Sequence, residues 1–231
     1  MTRILALDTS SEACSVALLD QGQLSEDFRM APREHTRLLL PMVDGLLQQA
    51  QLKLSDLDAL AFGCGPGSFT GLRIAAGMVQ GLAWGADLPV VAVSTPAAMA
   101  YDAAQSLATS QILVLIDARM DEVYAGLYEI QGESVTPLAA ERVCAPERLD
   151  DVLPLLNGPV AVVGSGLGYE ERFPQALRAL IQARDPDLQP RAGAVARLGL
   201  QQWLRGEQLR PDQVQPVYLR DEVAWNKLPG R

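Results

Sequence analysis

A short apolar run at 59–62 is followed by the glycine-rich stretch Gly63-Cys64-Gly65-Pro66-Gly67-Ser68-Phe69-Thr70-Gly71-Leu72-Arg73, and then by an apolar segment that ends at Gly85. Glycine tolerates the positive φ angles that tight turns need. Ser68 or Thr70 can accept hydrogen bonds from the first free N–H groups of a helix. The stretch therefore predicts a strand, a tight turn and a helix that begins near Ser68.

Within this predicted helix, Gly77, Gly81 and Gly85 are spaced four residues apart and lie on one side. Each glycine in a helix interior costs about 0.5–1 kcal/mol relative to alanine. A stripe of three indicates that another surface packs closely against this side. That surface is either the chain's own sheet or a second molecule, and the sequence leaves both open.

Composition limits the function classes. The 231 residues are 48% hydrophobic and 20% charged, which is typical of a globular protein with one large or two small domains. The net charge of -9 argues against nucleic-acid binding by this chain alone, because phosphate contacts need clustered lysine and arginine. Cys14, Cys64 and Cys144 share no metal-binding or redox spacing, which favours free thiols in a reducing compartment. With no signal-peptide pattern and no long apolar run, we expect a cytoplasmic protein without a membrane span.

The first half predicts five strands and three helices, including the strand and helix of the glycine-rich stretch. Apolar or alternating runs predict strands at 3–7, 14–19 and 24–30, and the first of them stops at Asp8. A helical period covers 34–51, where Pro41 predicts a kink or a late start. After the glycine-rich helix, a strand at 90–93 and a helix at 95–107 follow.

The second half repeats this pattern. A strand at 112–116 stops at Asp117 as the first strand stops at Asp8, and strands at 123–128 and 142–144 follow. Further elements are a helix at 146–156, a strand at 160–163 and a helix at 191–205. The repeat predicts two similar lobes at 1–105 and 106–210. The tail, 211–231, is extended and carries Tyr218, Arg220 and Trp225, so it either returns to the first lobe or binds a partner.

Two β-β-β-α lobes that each open with a strand ending in aspartate resemble the two-lobed actin-like ATPase fold of sugar kinases, Hsp70 and actin, an RNase H-like α/β architecture. Four motifs narrow the resemblance to the TsaB (YeaZ) family and span nearly the whole chain. They are Ile4-Leu5-Ala6-Leu7-Asp8-Thr9-Ser10, Pro32-Arg33-Glu34-His35-Thr36, Gly65-Pro66-Gly67-Ser68-Phe69-Thr70-Gly71-Leu72-Arg73 and Pro216-Val217-Tyr218-Leu219-Arg220.

This resemblance implies a non-catalytic scaffold that binds TsaD, together with TsaE, and supports threonylcarbamoyl transfer to adenosine 37 of tRNAs reading ANN codons. It also implies a homodimer when TsaD is absent, with tRNA bound only within the complex. The implied interface lies on the helices at 34–51 and 68–85, and the candidate residues are His35, Leu39, Val43, Leu46, Gly77 and Gly81. For His35 we favour a role at the helix start over an interface role, because functional histidines usually occur in clusters.

The residues present argue against a metal site. TsaD relatives carry a His-Met-Glu-Gly-His motif after the strand that follows the glycine-rich helix, whereas this chain has Thr95 and Met99 in place of the two histidines. His35 is the single histidine of the whole sequence, so a paired-histidine site is excluded. A metallopeptidase is therefore the least supported of the enzyme classes.

The phosphate-binding turns of the fold are degenerate. The family fold holds phosphates with two Asp-x-Gly turns, whose glycines let backbone N–H groups approach the anion. Here the turns are Asp8-Thr9-Ser10 and Asp117-Ala118-Arg119, and both glycines are replaced. We expect no cofactor in this chain alone, with a nucleotide at a shared interface left open. Gly164-Ser165-Gly166 lies where relatives contact adenosine, but a short glycine turn is a weak signal.

Nucleophilic and acid–base sites are equally unsupported. Ser68 does not lie in a Gly-x-Ser-x-Gly elbow, and the acidic pairs have the spacing of solvated surface residues. The sequence thus predicts no catalytic residues and a protein that works by binding. The alternative is an autonomous ATPase or phosphotransferase of the actin-like fold, which the missing turn glycines argue against.

Overall fold

The structure is a computed structural model that describes residues 2–107 and 109–220. Its strands are β1 (Arg3–Asp8), β2 (Ala13–Asp20), β3 (Gln23–Met30), β4 (Ala59–Gly65), β5 (Val90–Ser94), β6 (Gln111–Arg119), β7 (Glu122–Gln131), β8 (Ser134–Pro137), β9 (Arg142–Cys144), β10 (Val160–Val163) and β11 (Ile181–Asp185). Its α-helices are α1 (His35–Gln49), α2 (Phe69–Ala86), α3 (Thr95–Ala104), α4 (Gln175–Leu180) and α5 (Ala192–Leu204). Short 3₁₀ segments cover Leu54–Asp56, Pro146–Leu155, Ser165–Arg172 and Pro211–Gln213.

The strands form two sheets with the same topology, which confirms the predicted internal repeat. The first sheet has the order β3-β2-β1-β4-β5 and the second has the matching order β8-β7-β6-β10-β11. In both sheets the central strand is antiparallel to the next strand in sequence and parallel to the fourth. This duplicated arrangement is the two-lobed actin-like fold predicted from the sequence.

The glycine-rich stretch forms the predicted strand–turn–helix unit. Strand β4 continues to Gly65, three residues past the apolar run, and Gly65 has a φ of 107°. Helix α2 begins at Phe69, where the Ser68 hydroxyl accepts a hydrogen bond from the N–H of Gly71 at 3.3 Å. Of the two residues predicted to cap this helix, Ser68 and Thr70, the cap is therefore Ser68.

The helices and sheets stack in layers. Helices α1 and α2 cover one face of the first sheet, and α5 covers its other face, so that sheet is buried on both sides. Helix α3 packs on α5 and on the inner face of the second sheet. The outer face of the second sheet is covered by α4 and the neighbouring 3₁₀ segments. The apolar central strands β1 and β6 lie inside these layers.

Several elements differ from the sequence-based expectation. The second lobe also contains β8, β11 and α4, which were not predicted, and 146–155 is a 3₁₀ segment. Helix α1 starts at His35 and continues through Pro41, so the late start is wrong. Helix α5 lies in the predicted second-lobe range 106–210 but packs on the first sheet, because Gly199 lets it approach Ala61 closely.

Two smaller expectations concern the thiols and the membrane. Cys14, Cys64 and Cys144 are free, as predicted, and Cys14 and Cys64 are buried. Within the described ranges, every helix falls short of the length and apolar content that crossing a bilayer requires. Trp225 lies outside the described residues.

Candidate functional site

The first turn, Asp8-Thr9-Ser10, is buried at the carboxyl end of β1. Asp8 Oδ1 accepts hydrogen bonds from the backbone N–H of Ser10 at 2.8 Å and from its hydroxyl at 2.7 Å. Asp8 Oδ2 makes no hydrogen bond to any described residue. The carboxylate therefore closes its own turn, as Asx turns do, and half of its acceptor capacity is unused.

The loop between β4 and α2 fills the space in front of this turn. The Ser68 N–H donates to the Ser10 carbonyl at 2.7 Å, and the Thr9 hydroxyl donates to the Gly71 carbonyl at 2.7 Å. A Cβ placed on Gly63 would lie 1.8 Å from Asp8 Oδ2, and one placed on Gly71 would lie 1.8 Å from the Thr9 carbonyl oxygen. The glycines thus serve contact between two parts of the chain. These contacts place the β4–α2 loop directly against the first turn.

Burial raises the pKa of Asp8 to about 6, because the charged carboxylate loses solvation that its two Ser10 bonds only partly replace. The ordinary value of 3.8 applies to the unfolded chain, so the folded protein binds more protons between that value and about 6. Protonation of Asp8 therefore favours the folded state. This contribution to the free energy of unfolding is present at low pH and is lost as the pH rises through about 6.

We predict that an Asp8→Asn variant separates this contribution from those of the other carboxylates. Between about pH 5 and pH 7.5, the wild type should lose roughly 1–2 kcal/mol of unfolding free energy relative to the variant, because the variant has no carboxylate to ionise. Urea unfolding of both proteins at the two pH values measures the difference. Parallel pH profiles would contradict a raised pKa at Asp8.

The second turn, Asp117-Ala118-Arg119, is more exposed and is also closed by the chain itself. Asp117 Oδ1 accepts from the Arg119 N–H at 2.8 Å and from the Tyr169 hydroxyl at 3.2 Å. Arg119 has a φ of 62°, in the left-handed region that favours glycine, and Met120 and Asp121 are also left-handed. The backbone of a glycine turn is thus retained although its glycine is absent.

The glycine turn after β10 packs against the strand that leads to Asp117. Ser165 Oγ accepts a hydrogen bond from the Asp117 N–H at 3.0 Å. A Cβ on Gly164 or Gly166 would come within 3 Å of Leu115 atoms. Gly164 and Gly166 are therefore required for packing onto β6, whatever further role they have.

The C-terminal part of the chain crosses from the first lobe to the second. We call residues 214–220 the strap. The Val217 N–H donates to the Cys64 carbonyl at 2.8 Å, and a Cβ on Gly65 would lie 2.9 Å from the Val217 carbonyl oxygen. The Arg220 guanidinium donates to the Ala118 carbonyl at 3.1 Å and pairs with Glu122. The strap thus joins the loop beside the first turn to the second turn, and it lies across the region between them.

We predict that the strap stabilises the fold. Replacing Arg220 with alanine should lower the melting temperature by about 2–4 °C, because a partly buried pair worth about 1 kcal/mol and its lobe-to-lobe link are lost. Truncation after Leu219 should do at least as much. Arg210→Ala is the matched control, because Arg210 pairs with Asp212 on the exposed surface of the same C-terminal segment. If Arg220→Ala and Arg210→Ala melt at the same temperature, the strap is not structural.

Thr95 and Met99, which stand in place of the two histidines of the TsaD metal motif, belong to the core. Thr95 is fully buried, and its hydroxyl accepts from the Gly65 N–H at 3.2 Å. Met99 is also buried and packs between α3 and the second sheet. No group of three or more potential metal ligands occurs among the described residues. Metal binding at this location has no support in the geometry.

Four of the predicted interface residues are placed differently by the structure. Leu39, Val43 and Leu46 are at most 5% exposed and pack into the core beneath α1. His35 is buried, and its Nε2 lies 3.1 Å from the Ala13 carbonyl oxygen, a hydrogen bond that anchors the helix start to β2. The helical period located the apolar face of α1 correctly, but that face meets the chain's own sheet. Leu39, Val43 and Leu46 therefore present no side chains at the surface of the chain, and His35 lies at the helix start, the role favoured from the sequence.

The glycine stripe of α2 faces outward. Gly77, Gly81 and Gly85 are exposed, and an added Cβ on any of them would meet nothing within 4 Å. The own-sheet alternative is therefore excluded. The stripe is flanked by the 62%-exposed Trp84 on α2, and Leu40 on the neighbouring α1 is 46% exposed. Sequence reasoning missed both residues, although the i+3 spacing of Trp84 from Gly81 places it on the glycine side.

Comparisons with known proteins give a TsaD family model and curated relatives named TsaB. Residues 29–183 match the family model described as "TsaD: tRNA N6-adenosine threonylcarbamoyltransferase". The chain is 40% identical to the Escherichia coli protein named tRNA threonylcarbamoyladenosine biosynthesis protein TsaB, over 99% of both chains. It is also 40% identical to the Haemophilus influenzae protein of the same name, over 99% of this chain and 98% of that one.

Solved structures give the same result. A Pseudomonas aeruginosa crystal structure, of an uncharacterized protein with similarity to peptidase YeaZ, superposes with a TM-score of 0.90 at 44% identity. A second structure, YeaZ from the same organism, gives a TM-score of 0.89 at 45% identity. Both alignments cover 95% of this chain and all of the matched chain.

Proposed function

The chain belongs to the TsaB (YeaZ) family, and from this we propose that it takes part in tRNA threonylcarbamoyladenosine synthesis as a non-catalytic scaffold that binds a TsaD homologue. In this role it supports threonylcarbamoyl transfer to adenosine 37 of tRNAs reading ANN codons, with TsaE as a further partner. The observation that carries the proposal combines two features. Both phosphate turns lack their glycine and are hydrogen-bonded to their own aspartates, and the glycine stripe of α2 is exposed with no other part of the chain packed against it.

The closed turns support a non-catalytic role. Asp8 Oδ1 accepts hydrogen bonds from Ser10, Asp117 Oδ1 accepts hydrogen bonds from Arg119 and Tyr169, and the strap lies between the two turns. A catalytic site needs a nucleophile, base or metal within reach of a reacting atom. The family model that matches is named for a transferase, yet the two metal-ligand positions of the TsaD motif hold a threonine and a methionine here.

The exposed glycine stripe supports a helical interface. Glycines remove the side chains that would hold a neighbouring helix away, so a partner backbone can approach α2 closely. Trp84 on the same helix and Leu40 on the neighbouring α1 supply exposed apolar side chains, and tryptophan is enriched among residues that dominate binding energy. We propose that this surface, comprising the stripe with Trp84 and Leu40, binds TsaD, and that it pairs two copies of the chain when TsaD is absent.

The charge of the chain supports an indirect role toward tRNA. A net charge of -9 repels a polyanion, so tRNA contacts would come from the partner proteins. A nucleotide at an interface shared with TsaD is compatible with this arrangement, because a partner can supply backbone donors in addition to those of the two turns. We place the assembly in the cytoplasm, where tRNA is modified.

The binding proposal is tested by mixing the untagged full chain with a TsaD homologue from the same organism. Size-exclusion chromatography with light scattering should give a complex of defined mass, and calorimetric titration should give saturable binding. Two proteins that elute separately at micromolar concentration would overturn the proposal.

We further predict that the purified chain does not hydrolyse ATP and does not retain a transition metal. Both turns lack the glycine that lets backbone N–H groups approach an anion, and the N–H groups of Ser10 and Arg119 are already bonded to Asp8 and Asp117. A phosphate-release assay and elemental analysis provide the measurements. Turnover that disappears in an Asp117→Ala variant would instead favour an autonomous ATPase or phosphotransferase.

A further inference from the structure

A polar cleft of about 300 Å³ lies away from both turns, between β3, α3, the β7–β8 turn and the start of α5. Leu24 on its β3 wall pairs with Leu19, which in turn pairs with Ile4. The cleft is therefore near the amino end of β1, whereas Asp8 is at the carboxyl end. Its walls come from both lobes, and its size is at the lower end of small-molecule sites, which run from about 300 to 1,000 Å³.

One charged pair in the cleft is structural. Glu26 accepts from the Arg191 guanidinium at 2.7 Å and from the Gly193 N–H at 2.8 Å. The Ser15 hydroxyl donates to Glu26 at 3.0 Å and accepts from the Ala192 N–H at 2.9 Å. These bonds hold the start of α5 against β2 and β3. Glu26 and Arg191 are thus engaged by the fold.

The other polar side chains of the cleft are not engaged. Within the described ranges, Asp102, Glu133 and Arg197 form no ion pair and no side-chain hydrogen bond, although all three line the same space. The hydroxyl of Tyr101 likewise has no hydrogen-bond partner there, while only 4% of the Tyr101 surface is exposed. Burial raises the pKa of Asp102, which agrees with a carboxylate whose charge has no direct partner. Glu133 is exposed and Asp102 and Arg197 are half-buried, so water reaches these three charged groups in the free chain. A ligand of complementary charge in the cleft would replace that water with direct charge-assisted hydrogen bonds.

We propose that this cleft binds a small basic amino acid. The unengaged groups are two carboxylates and one guanidinium, and a basic amino acid carries the opposite set of two cationic groups and one carboxylate. The ligand carboxylate binds Arg197, its two cationic groups bind Asp102 and Glu133, and the Tyr101 hydroxyl adds a hydrogen bond. Each contact is a charge-assisted hydrogen bond, which is stronger than a neutral one. Because the walls belong to both lobes, the bound ligand also joins them.

L-Lysine is the probe for the test, with two matched compounds as controls. L-Norleucine has the same chain length but no side-chain ammonium group, and cadaverine has both ammonium groups but no carboxylate. Calorimetric titration of the full chain should show saturable binding of L-lysine, with norleucine and cadaverine weaker by about tenfold or more. No heat with L-lysine at millimolar concentration, or equal affinity for all three compounds, would overturn the proposal.

Variants locate the binding. Asp102→Asn and Arg197→Gln should each weaken L-lysine binding about tenfold or more, and Tyr101→Phe should weaken it less. Arg205→Gln is the control on the end of α5, because Arg205 pairs with Glu207 outside the cleft. Thermal melts establish that each variant is folded, and Glu133→Gln, on an exposed turn, replaces any variant that is not. L-Lysine binding that is unchanged by all cleft substitutions would place the ligand elsewhere and refute the proposal.

Discussion

Replacing Gly71 with alanine is expected to destabilise the protein by roughly 3 kcal/mol or more. The new methyl carbon would lie 1.8 Å from the carbonyl oxygen of Thr9, a backbone atom that cannot rotate away. Relief requires α2 to move off the first turn. This movement breaks the hydrogen bond from the Thr9 hydroxyl to the Gly71 carbonyl and the one from the Ser68 N–H to the Ser10 carbonyl. Urea unfolding of the two proteins measures the loss.

Gly77→Ala is the control on the same helix. A Cβ on Gly77 meets nothing within 4 Å, so this substitution adds helix propensity without a clash. It should stabilise the isolated chain by about 0.5–1 kcal/mol. The same glycine-to-alanine substitution, made at two positions six residues apart, is thus expected to lower stability at one position and raise it at the other. If both variants lose stability equally, close contact between the turn and α2 does not explain the glycine at position 71.

A second expected result concerns binding. Gly81→Leu should leave the melting temperature of the free protein unchanged or slightly higher, while weakening TsaD binding by about a hundredfold or more. A leucine side chain there projects into open space in the free chain but would separate two closely packed helices. Because the same surface is proposed for the homodimer, self-association should fall in parallel. Calorimetric titration with TsaD and light scattering of the free protein measure the two effects.

The control for this experiment is Arg178→Leu, which adds an exposed leucine to α4 in the second lobe. It should leave both assemblies intact. A Gly81→Leu variant that loses self-association but retains full TsaD affinity would show that the two assemblies use different surfaces. Val43→Arg is unsuitable as an interface probe, because Val43 is 2% exposed and an arginine there would bury an unpaired charge and unfold the lobe.

Local patterns in the sequence determined the elements and the repeat. The step from β4 through the glycine turn to α2 follows from glycine and serine preferences within a few residues, and Ser68 caps the helix as those preferences predict. The matched apolar runs that lead to Asp8 and Asp117 were enough to predict two lobes of one topology, although β6 itself continues to Arg119. Short elements such as β8 and α4 were missed, because four to six residues carry too little of a strand or helix period to be recognised.

Only the tertiary structure decided which face of each helix is available to a partner. Periodicity places Leu39 and Val43 on one side of α1 and Gly77 and Gly81 on one side of α2, but it does not say which side meets the sheet. The apolar side of α1 packs against the sheet, whereas the glycine side of α2 faces away from it. The strap and the packing of α5 on the first sheet were decided in the same way. Contacts between residues about a hundred positions apart depend on the closure of the whole chain, and local preferences carry no information about them.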